Sequence, residues 1–366
     1  MTNMENHCLA AEGSSSKWRL LLQRFFSKIS NNKDQRTDQI AQRALGSLAL
    51  GAVGDTLGFG SGHNPQHSGL ISPWELRGDT AYIFTVLSER FQGNYRNIRF
   101  RNSTGKQEWV ISDDTILHFM QAQTIVNLLK TTKTPTPQQT VNAIAEAHVK
   151  TLREYDVELT NKRWFGNSTR KTCRLIENDP THWNKYISYN PDATGCGGSM
   201  RGMIFGWLYP GERNCQELIA TSLNAGFLTN PSLTGALGTL SSAALTAFSL
   251  DDVPVSEWIS KLQDVFLKTK GYLEAMPDAG EDCPQQYKEL VKGCLEENEW
   301  KRVFDNWTFF FTKTTGGKDR IPEMTEFPKD AEQRDRFHSE IEKHVYGGQN
   351  PKPNRLTIGD RGDTSV

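Results

Sequence analysis

Ser112-Asp113-Asp114-Thr115 sets two adjacent carboxylates between two hydroxyls, just after Trp109-Val110-Ile111 and just before the apolar run Ile116 to Leu129. Such a block at a helix start can do two things. Ser and Asp side chains accept hydrogen bonds from the orphan N–H groups of a first turn, and negative charge there suits the helix dipole. A cap needs only one such residue, however. The second carboxylate adds repulsion that a nearby cation would relieve, and hard oxygen ligands of this kind suit magnesium or calcium. On these four residues alone both readings stand, capping being the simpler.

A second block runs Thr194-Gly195-Cys196-Gly197-Gly198-Ser199-Met200-Arg201-Gly202, ahead of the apolar stretch Met203 to Leu208. Glycines before a helix start leave backbone N–H groups open, which is the physics of phosphate cradling. No G-K-[ST] follows, so it is not a P-loop, and a flexible turn is the simpler alternative. A third block, Gly51-Ala52-Val53-Gly54-Asp55-Thr56-Leu57-Gly58, brings small residues for close backbone approach and puts Asp55 where its helix should end. Residues 59 to 109 form a long connection carrying His63, His67 and Trp74-Glu75. Connections this long tend to be functional or disordered. Asn64-Pro65 between the histidines argues against a helix there, so both read as surface loop residues.

Helices must position these blocks. Ile40, Ala44, Leu45, Leu48 and Ala52 recur at helical spacing after a plausible cap at Thr37-Asp38, and Val141, Ile144, Ala145 and Val149 share one face of a helix over 138–154. Residues 160 to 194 look irregular, with Trp164, Trp183 and Tyr186 as packing anchors. Asn214 and Glu217 form a capping-box pattern, and Ser232 stands ready to cap a helix dense in Gly235, Ala236, Gly238, Ala243 and Ala244. Pro254 to Leu267 is amphipathic, with Trp258, Ile259, Leu262, Val265 and Phe266 inward. Gln285 to Lys313 reads as one long helix with Trp300, Phe304, Trp307 and Phe311 in phase, and a short helix follows around Ala331 to His344. Period-two alternation is nearly absent, so the expected class is all-α. The expected organisation is a polar tail over 1–36, a helical domain over 37–350 and a C-terminal tail over 351–366.

Composition bounds the partners. The 366 residues carry a formal net charge of -1, which gives no global field toward nucleic acid or an anionic membrane. Apolar runs fall short of the roughly 20 residues that span a bilayer. Residues 18 to 29, W-R-L-L-L-Q-R-F-F-S-K-I, could touch a membrane as an amphipathic helix, although a frayed helix packed on the domain is the simpler reading. The six cysteines are scattered without a C-x-x-C pair, which suits free thiols in a reducing compartment and a cytoplasmic, monomeric protein.

Taken together and in order, Gly54-Asp55-Thr56-Leu57-Gly58, Ser112-Asp113-Asp114-Thr115 and Gly195-Cys196-Gly197-Gly198-Ser199-Met200-Arg201 resemble the ADP-ribosylglycohydrolases. Ala225-Gly226-Phe227-Leu228-Thr229 and the small-residue helix after it continue the match. The chain is most similar to the ADP-ribosylarginine hydrolase branch, where an aromatic helix precedes segments like Phe327-Pro328, Arg334-Asp335-Arg336-Phe337 and Tyr346-Gly347-Gly348. The resemblance spans residues 38 to 350 and implies an orthogonal helical bundle with two magnesium ions in a cleft. There ADP-ribose is cut from a protein side chain at the C1″ ribose carbon.

Carried over by position, Ser112, Asp113 and Asp114 are implied as metal ligands. Glu75, Asp113 and Asp114 are implied as catalytic, with Glu75 reaching over the metals. Gly197, Gly198, Ser199 and Met200 are implied to cradle the diphosphate, and Asp55 to belong with the substrate-binding residues. The implied partner is ADP-ribose or an ADP-ribosylated protein, and no nucleic acid is expected. Two departures accompany the match. Asn230-Pro231-Ser232 stands where branch members have histidines, and the chain reaches Val366 without the later G-G-D-x-D-[ST] block that completes the family's metal site, so a C-terminally truncated bundle is expected. Gly359-Asp360-Arg361-Gly362-Asp363-Thr364 has the wrong spacing to replace that block. A pseudoenzyme that binds ADP-ribose or a protein partner is the alternative to a hydrolase.

Overall fold

The computed structural model describes residues 43–44, 46–52, 54–55, 99–101, 107–109, 112–154, 165–276, 283–316, 336–337, 340–341 and 343–344. Residues 18–29, His63, His67, Glu75, Trp164 and the tail after 350 lie outside them, while the connection over 59–109 is described only at its two short strands.

The fold is all-α. The one sheet among the described residues is a hairpin in which β1 (Arg99–Arg101) pairs antiparallel with β2 (Gln107–Trp109), Arg99 opposite Trp109. The helices that follow among the described residues include α1 Asp113–Thr131, α2 Pro137–Glu154, α3 Asn167–Leu175, α4 Ser199–Leu208, α5 Cys215–Phe227, α6 Leu233–Leu250, α7 Trp258–Ala275, α8 Gln285–Leu295 and α9 Glu297–Thr315.

α6 is the centre of the bundle, packed against α4, α5 and α7, while α1 lies on α2 and α4. By length and composition α6 could cross a membrane, yet 61% of it is buried inside the protein. Its start is fixed by Ser232, whose hydroxyl accepts from Gly235 N at 3.0 Å and donates to Ala193 O at 2.9 Å. Its contact with α4 depends on a row of glycines four residues apart. A Cβ at Gly198 would collide with Thr239 Oγ1, one at Gly202 with the Thr239 carbonyl, and one at Gly206 with the Ala243 carbonyl. Gly226 of α5 meets the same helix, where a Cβ would lie 2.9 Å from Ala236 Cα. Without side chains in that seam, backbones approach closely and the surrounding Leu, Ile and Phe residues close over them. Leu223, Phe227, Leu237, Leu240 and Phe205 are all buried there.

Several local expectations hold. Ser112 caps α1, and Val141, Ile144, Ala145 and Val149 of α2 are buried. Trp258 opens α7 after a 3-10 turn, and Ile259, Leu262, Val265 and Phe266 face inward. Ile341 is buried where the short C-terminal helix was expected, and His344 stacks on Phe309 at 3.9 Å.

Others differ for physical reasons. The stretch 285–313 is two helices, broken at Glu296, whose φ of -55° and ψ of 128° turn the chain out of helical geometry. Residues 167–175 form α3 although the segment is polar, because Thr169, Thr172 and Cys173 alone reach the core. Trp183 is buried as an anchor, but Tyr186 is 41% exposed and its hydroxyl donates to Asp179. Asn214 precedes α5 without capping it, since its amide donates to Pro210 O instead.

Candidate active site

The site is assembled at the start of α1. Asp55, helical together with Gly54, turns its carboxylate onto this start. Its Oδ2 accepts from Ser112 N at 2.9 Å, Thr115 N at 3.3 Å and Thr115 Oγ1 at 2.6 Å, and its Oδ1 accepts from Ser112 Oγ at 2.5 Å. Ser112 Oγ in turn accepts from Asp114 N at 3.1 Å. Both hydroxyls of the Ser112-Asp113-Asp114-Thr115 block are therefore held by a residue that lies 57 positions before Ser112. Capping and site-building turn out to be one arrangement. Asp55 and Ser112 satisfy the orphan N–H groups, which leaves Asp113 and Asp114 uncommitted to the cap itself.

Those two carboxylates sit at a cost. Asp113 is 7% exposed, and burial followed by the charge of Asp114 holds its carboxyl well above the usual range, although Gly166 N donates to Oδ2 at 3.4 Å. Burial, then the charge of Asp55, pushes Asp114 up to about 6, with Arg201 opposing. Three carboxylates converge on a site where burial penalises charge, an arrangement that a hard cation would relieve. Among the described residues no group of three or more His, Cys, Asp and Glu side chains is arranged around a common metal position. The donor chemistry of Ser112, Asp113 and Asp114 nevertheless fits magnesium. Both carboxylates carry open oxygens, and the serine oxygen retains a lone pair after its two hydrogen bonds.

Arg201 joins this end of α1 to the glycine block. Its side chain is fully buried, and burial lowers its pKa to about 10 against the opposing pull of Asp113 and Asp114 among its neighbours. Nη2 donates to Ala225 O at 3.1 Å and to Thr229 Oγ1 at 2.6 Å. With its amide set to match, Gln121 of α1 accepts from Arg201 Nε at 2.9 Å and donates to the Arg201 carbonyl at 3.1 Å. α4 begins at Ser199 with no side-chain cap; Met200 N and Arg201 N already donate to the Cys196 and Gly198 carbonyls at 3.0 and 3.3 Å, so among the described residues the N–H groups of Gly197 to Ser199 are those that no backbone carbonyl takes. Gly197 and Ser199 are half-buried, and the Ser199 hydroxyl has no hydrogen-bond partner among the described residues. Gly198 is buried in the α4–α6 seam, which by itself accounts for a glycine there. Met200 packs beside Leu117, Met120 and Phe165.

Glu75 falls outside the described residues. Sequence reasoning passed over Gln121, His118 and His148 nearby and noted Asn230 only as a departure from the family pattern. Gln121 and Asn230 belong to the Arg201 network, while burial keeps His118 (down to about 4) and His148 neutral. No local signal marks them, since a polar residue in an apolar stripe looks like noise until its partner is known.

The sequence profile of the ADP-ribosylglycohydrolases matches residues 36–313. The ADP-ribosylhydrolase ARH1 of Dictyostelium discoideum is 24% identical over 351 residues, which cover 90% of this chain and 80% of that protein. A protein of Acanthamoeba polyphaga mimivirus, named as an ADP-ribosyl glycohydrolase, is 28% identical over 221 residues, 58% of this chain and 38% of its own length.

Proposed function

From the premise that the chain belongs to the ADP-ribosylglycohydrolase family, we propose that it is a magnesium-dependent hydrolase acting on ADP-ribosylated protein side chains, with arginine as the linked residue. Family membership supports hydrolysis of ADP-ribose linkages. The magnesium and the arginine linkage are our reading of the site. One observation carries it: Asp113, buried, and Asp114, half-buried, stand side by side with raised pKa values at a helix start that Asp55 has already capped. Adjacent carboxylates kept at an electrostatic cost, beyond the single 3.4 Å hydrogen bond from Gly166 N to Asp113, are the mark of a functional site.

Ser112, Asp113 and Asp114 would hold the metal. When bound, magnesium would orient water and stabilise charge developing at the ribose. The N–H groups of Gly197 to Ser199, which lead into α4, receive the diphosphate and so fix the position of C1″. Water then bonds to C1″ as the C1″–N bond breaks, the guanidine leaves, and a carboxylate takes the proton of the water. Glu75 is our assignment for that carboxylate. Arg201 stays in place behind the site and keeps both blocks in register.

A second reading, a non-catalytic relative that binds ADP-ribose or a protein partner, draws on the burial of Asp113, which disfavours its ionised form. Incubation with an ADP-ribosylarginine peptide and magnesium, followed by chromatography of released ADP-ribose, separates the two. The hydrolase reading expects release that Asp113→Ala and Asp114→Ala each abolish. Release surviving both substitutions, or none from a folded wild-type chain, overturns it.

A further inference from the structure

We infer that Thr229 and Asn230 are positioning residues, which set the conformation of the glycine block through a directional hydrogen-bond relay anchored on Arg201. The relay starts at a group that can only donate. Arg201 Nη2 donates to Thr229 Oγ1 at 2.6 Å, so the hydroxyl accepts there and its own hydrogen points onward to Asn230 Oδ1 at 2.8 Å. That fixes the amide orientation of Asn230, and its Nδ2 donates to the Gly195 carbonyl at 2.8 Å. Each link has a defined donor and acceptor, so no member can reverse without breaking its neighbour.

The relay is dry and dense. Arg201 and Thr229 are fully buried, and Asn230 is 3% exposed. Each link of the relay is paired, and of the Arg201 nitrogens Nη1 alone has no partner among the described residues, so the guanidinium is held through Nη2 and Nε. It ends on the block that opens α4. Asn230 Oδ1 would lie 3.0 Å from a Cβ at Gly197, and the Asn230 Cβ would lie 2.5 Å from one at Gly235. Asn230 is thus wedged between the glycine block and the start of α6. At its other end, Arg201 is gripped by Gln121 from α1, the helix that begins with Asp113 and Asp114. One hydrogen-bonded path therefore runs from the carboxylate helix to the glycine block. Loss of either middle link frees Gly195 from the helix carrying the carboxylates, while the glycine seam of α4 and α6 stays packed.

The consequence for ligand binding rests on the proposed function; the consequence for the block itself does not. Amide hydrogen exchange read by mass spectrometry on the full chain, with and without ADP-ribose, tests both. Thr229→Val keeps shape and removes the hydroxyl, Thr229→Ser keeps the hydroxyl, and Asn230→Ala removes the last link. In Thr229→Val and Asn230→Ala, residues 195–200 should exchange at least tenfold faster than in wild type, a larger change than in α5 and α6, and Thr229→Ser should restore slow exchange. ADP-ribose affinity by calorimetry should fall at least tenfold in the first two and recover in the third. Wild-type exchange at 195–200 in both disrupted variants overturns the inference. Faster exchange in a protein whose wild type does not bind ADP-ribose supports the relay and rejects the ligand instead.

Discussion

Asp55 caps a helix whose cap residue, Ser112, lies 57 positions further along the chain, and a single oxygen of its carboxylate takes both the Ser112 amide and the Thr115 hydroxyl. That contact turns Ser112-Asp113-Asp114-Thr115 from a sequence pattern into a site. The hydroxyls and N–H groups point back to Asp55, and the two following carboxylates are left to face something else.

Asp55→Asn tests the clamp. An amide offers one acceptor oxygen where the carboxylate offers two, so it cannot serve both the Ser112 hydroxyl and the Thr115 hydroxyl from opposite oxygens. Hydrogen bonds to a charged group contribute about 1.5–3 kcal/mol each. Equilibrium unfolding in urea should show a loss of about that size, with local loosening at 112–115. Unchanged stability would count against the clamp.

Stability of the metal-free protein should fall as pH rises, contrary to the behaviour of a salt-bridged carboxylate. Asp114 has a folded pKa raised from 3.8 to about 6, so the folded state holds its proton more tightly than the unfolded chain does. This contribution is fully present below 3.8 and is lost as pH rises through about 6, with a size on the order of 2 kcal/mol. Melting curves of wild type and Asp114→Asn should agree near pH 4 in stability ranking relative to pH 7, where the amide variant should gain on wild type. Magnesium should close that gap by raising wild type alone. A gap independent of pH contradicts the assignment.

The glycine seam predicts a sharp contrast between helical glycines. Gly202→Ala and Gly206→Ala would drive a methyl group into the backbone of α6, and overpacking of this kind costs about 1–3 kcal/mol. Gly271, exposed on α7, has nothing within 4 Å of its would-be Cβ. Gly271→Ala should therefore stabilise by roughly 0.5–1 kcal/mol through helix propensity. Thermal unfolding of the three variants reads out both signs, and equal effects would refute close backbone packing.

Thiol labelling of the native protein should divide the described cysteines. Burial pushes the Cys173 thiol up to about 12 and the Cys294 thiol higher still, while Cys196, Cys215 and Cys283 are half-buried. Since the thiolate is the reactive form, those three should be alkylated well before Cys173 and Cys294. Mass spectrometry after brief exposure to iodoacetamide would show the order, and early modification of Cys294 would contradict the packing of α8.

What was legible in the sequence follows from which interactions are local. Ser112 caps its own helix two residues on, and the apolar stripe of α2 repeats within one element, so both could be read directly. The partners of Asp55 and of Gly202 lie 57 or more and 37 residues away, and no local period announces them. The glycines of the second block looked alike in the sequence. Packing separates them, with Gly198 filling a helix seam and Gly197 lining a polar space beside Asn230 and Arg201. Arg201 lay inside a motif, yet a charged residue in a helix carries no mark of burial until Gln121, Ala225 and Thr229 close around it. The break at Glu296 was invisible because neither Gly nor Pro signals it.

The measurement closest to the central claim is calorimetric titration of the full chain with ADP-ribose, in the presence and absence of magnesium, alongside Asp114→Ala. Binding in the micromolar range that requires magnesium and disappears in Asp114→Ala is the expected result, since the carboxylates at the start of α1 and the N–H groups of Gly197 to Ser199 would then act as one site. Binding of equal strength with and without the metal, unaffected by Asp114→Ala, would contradict it.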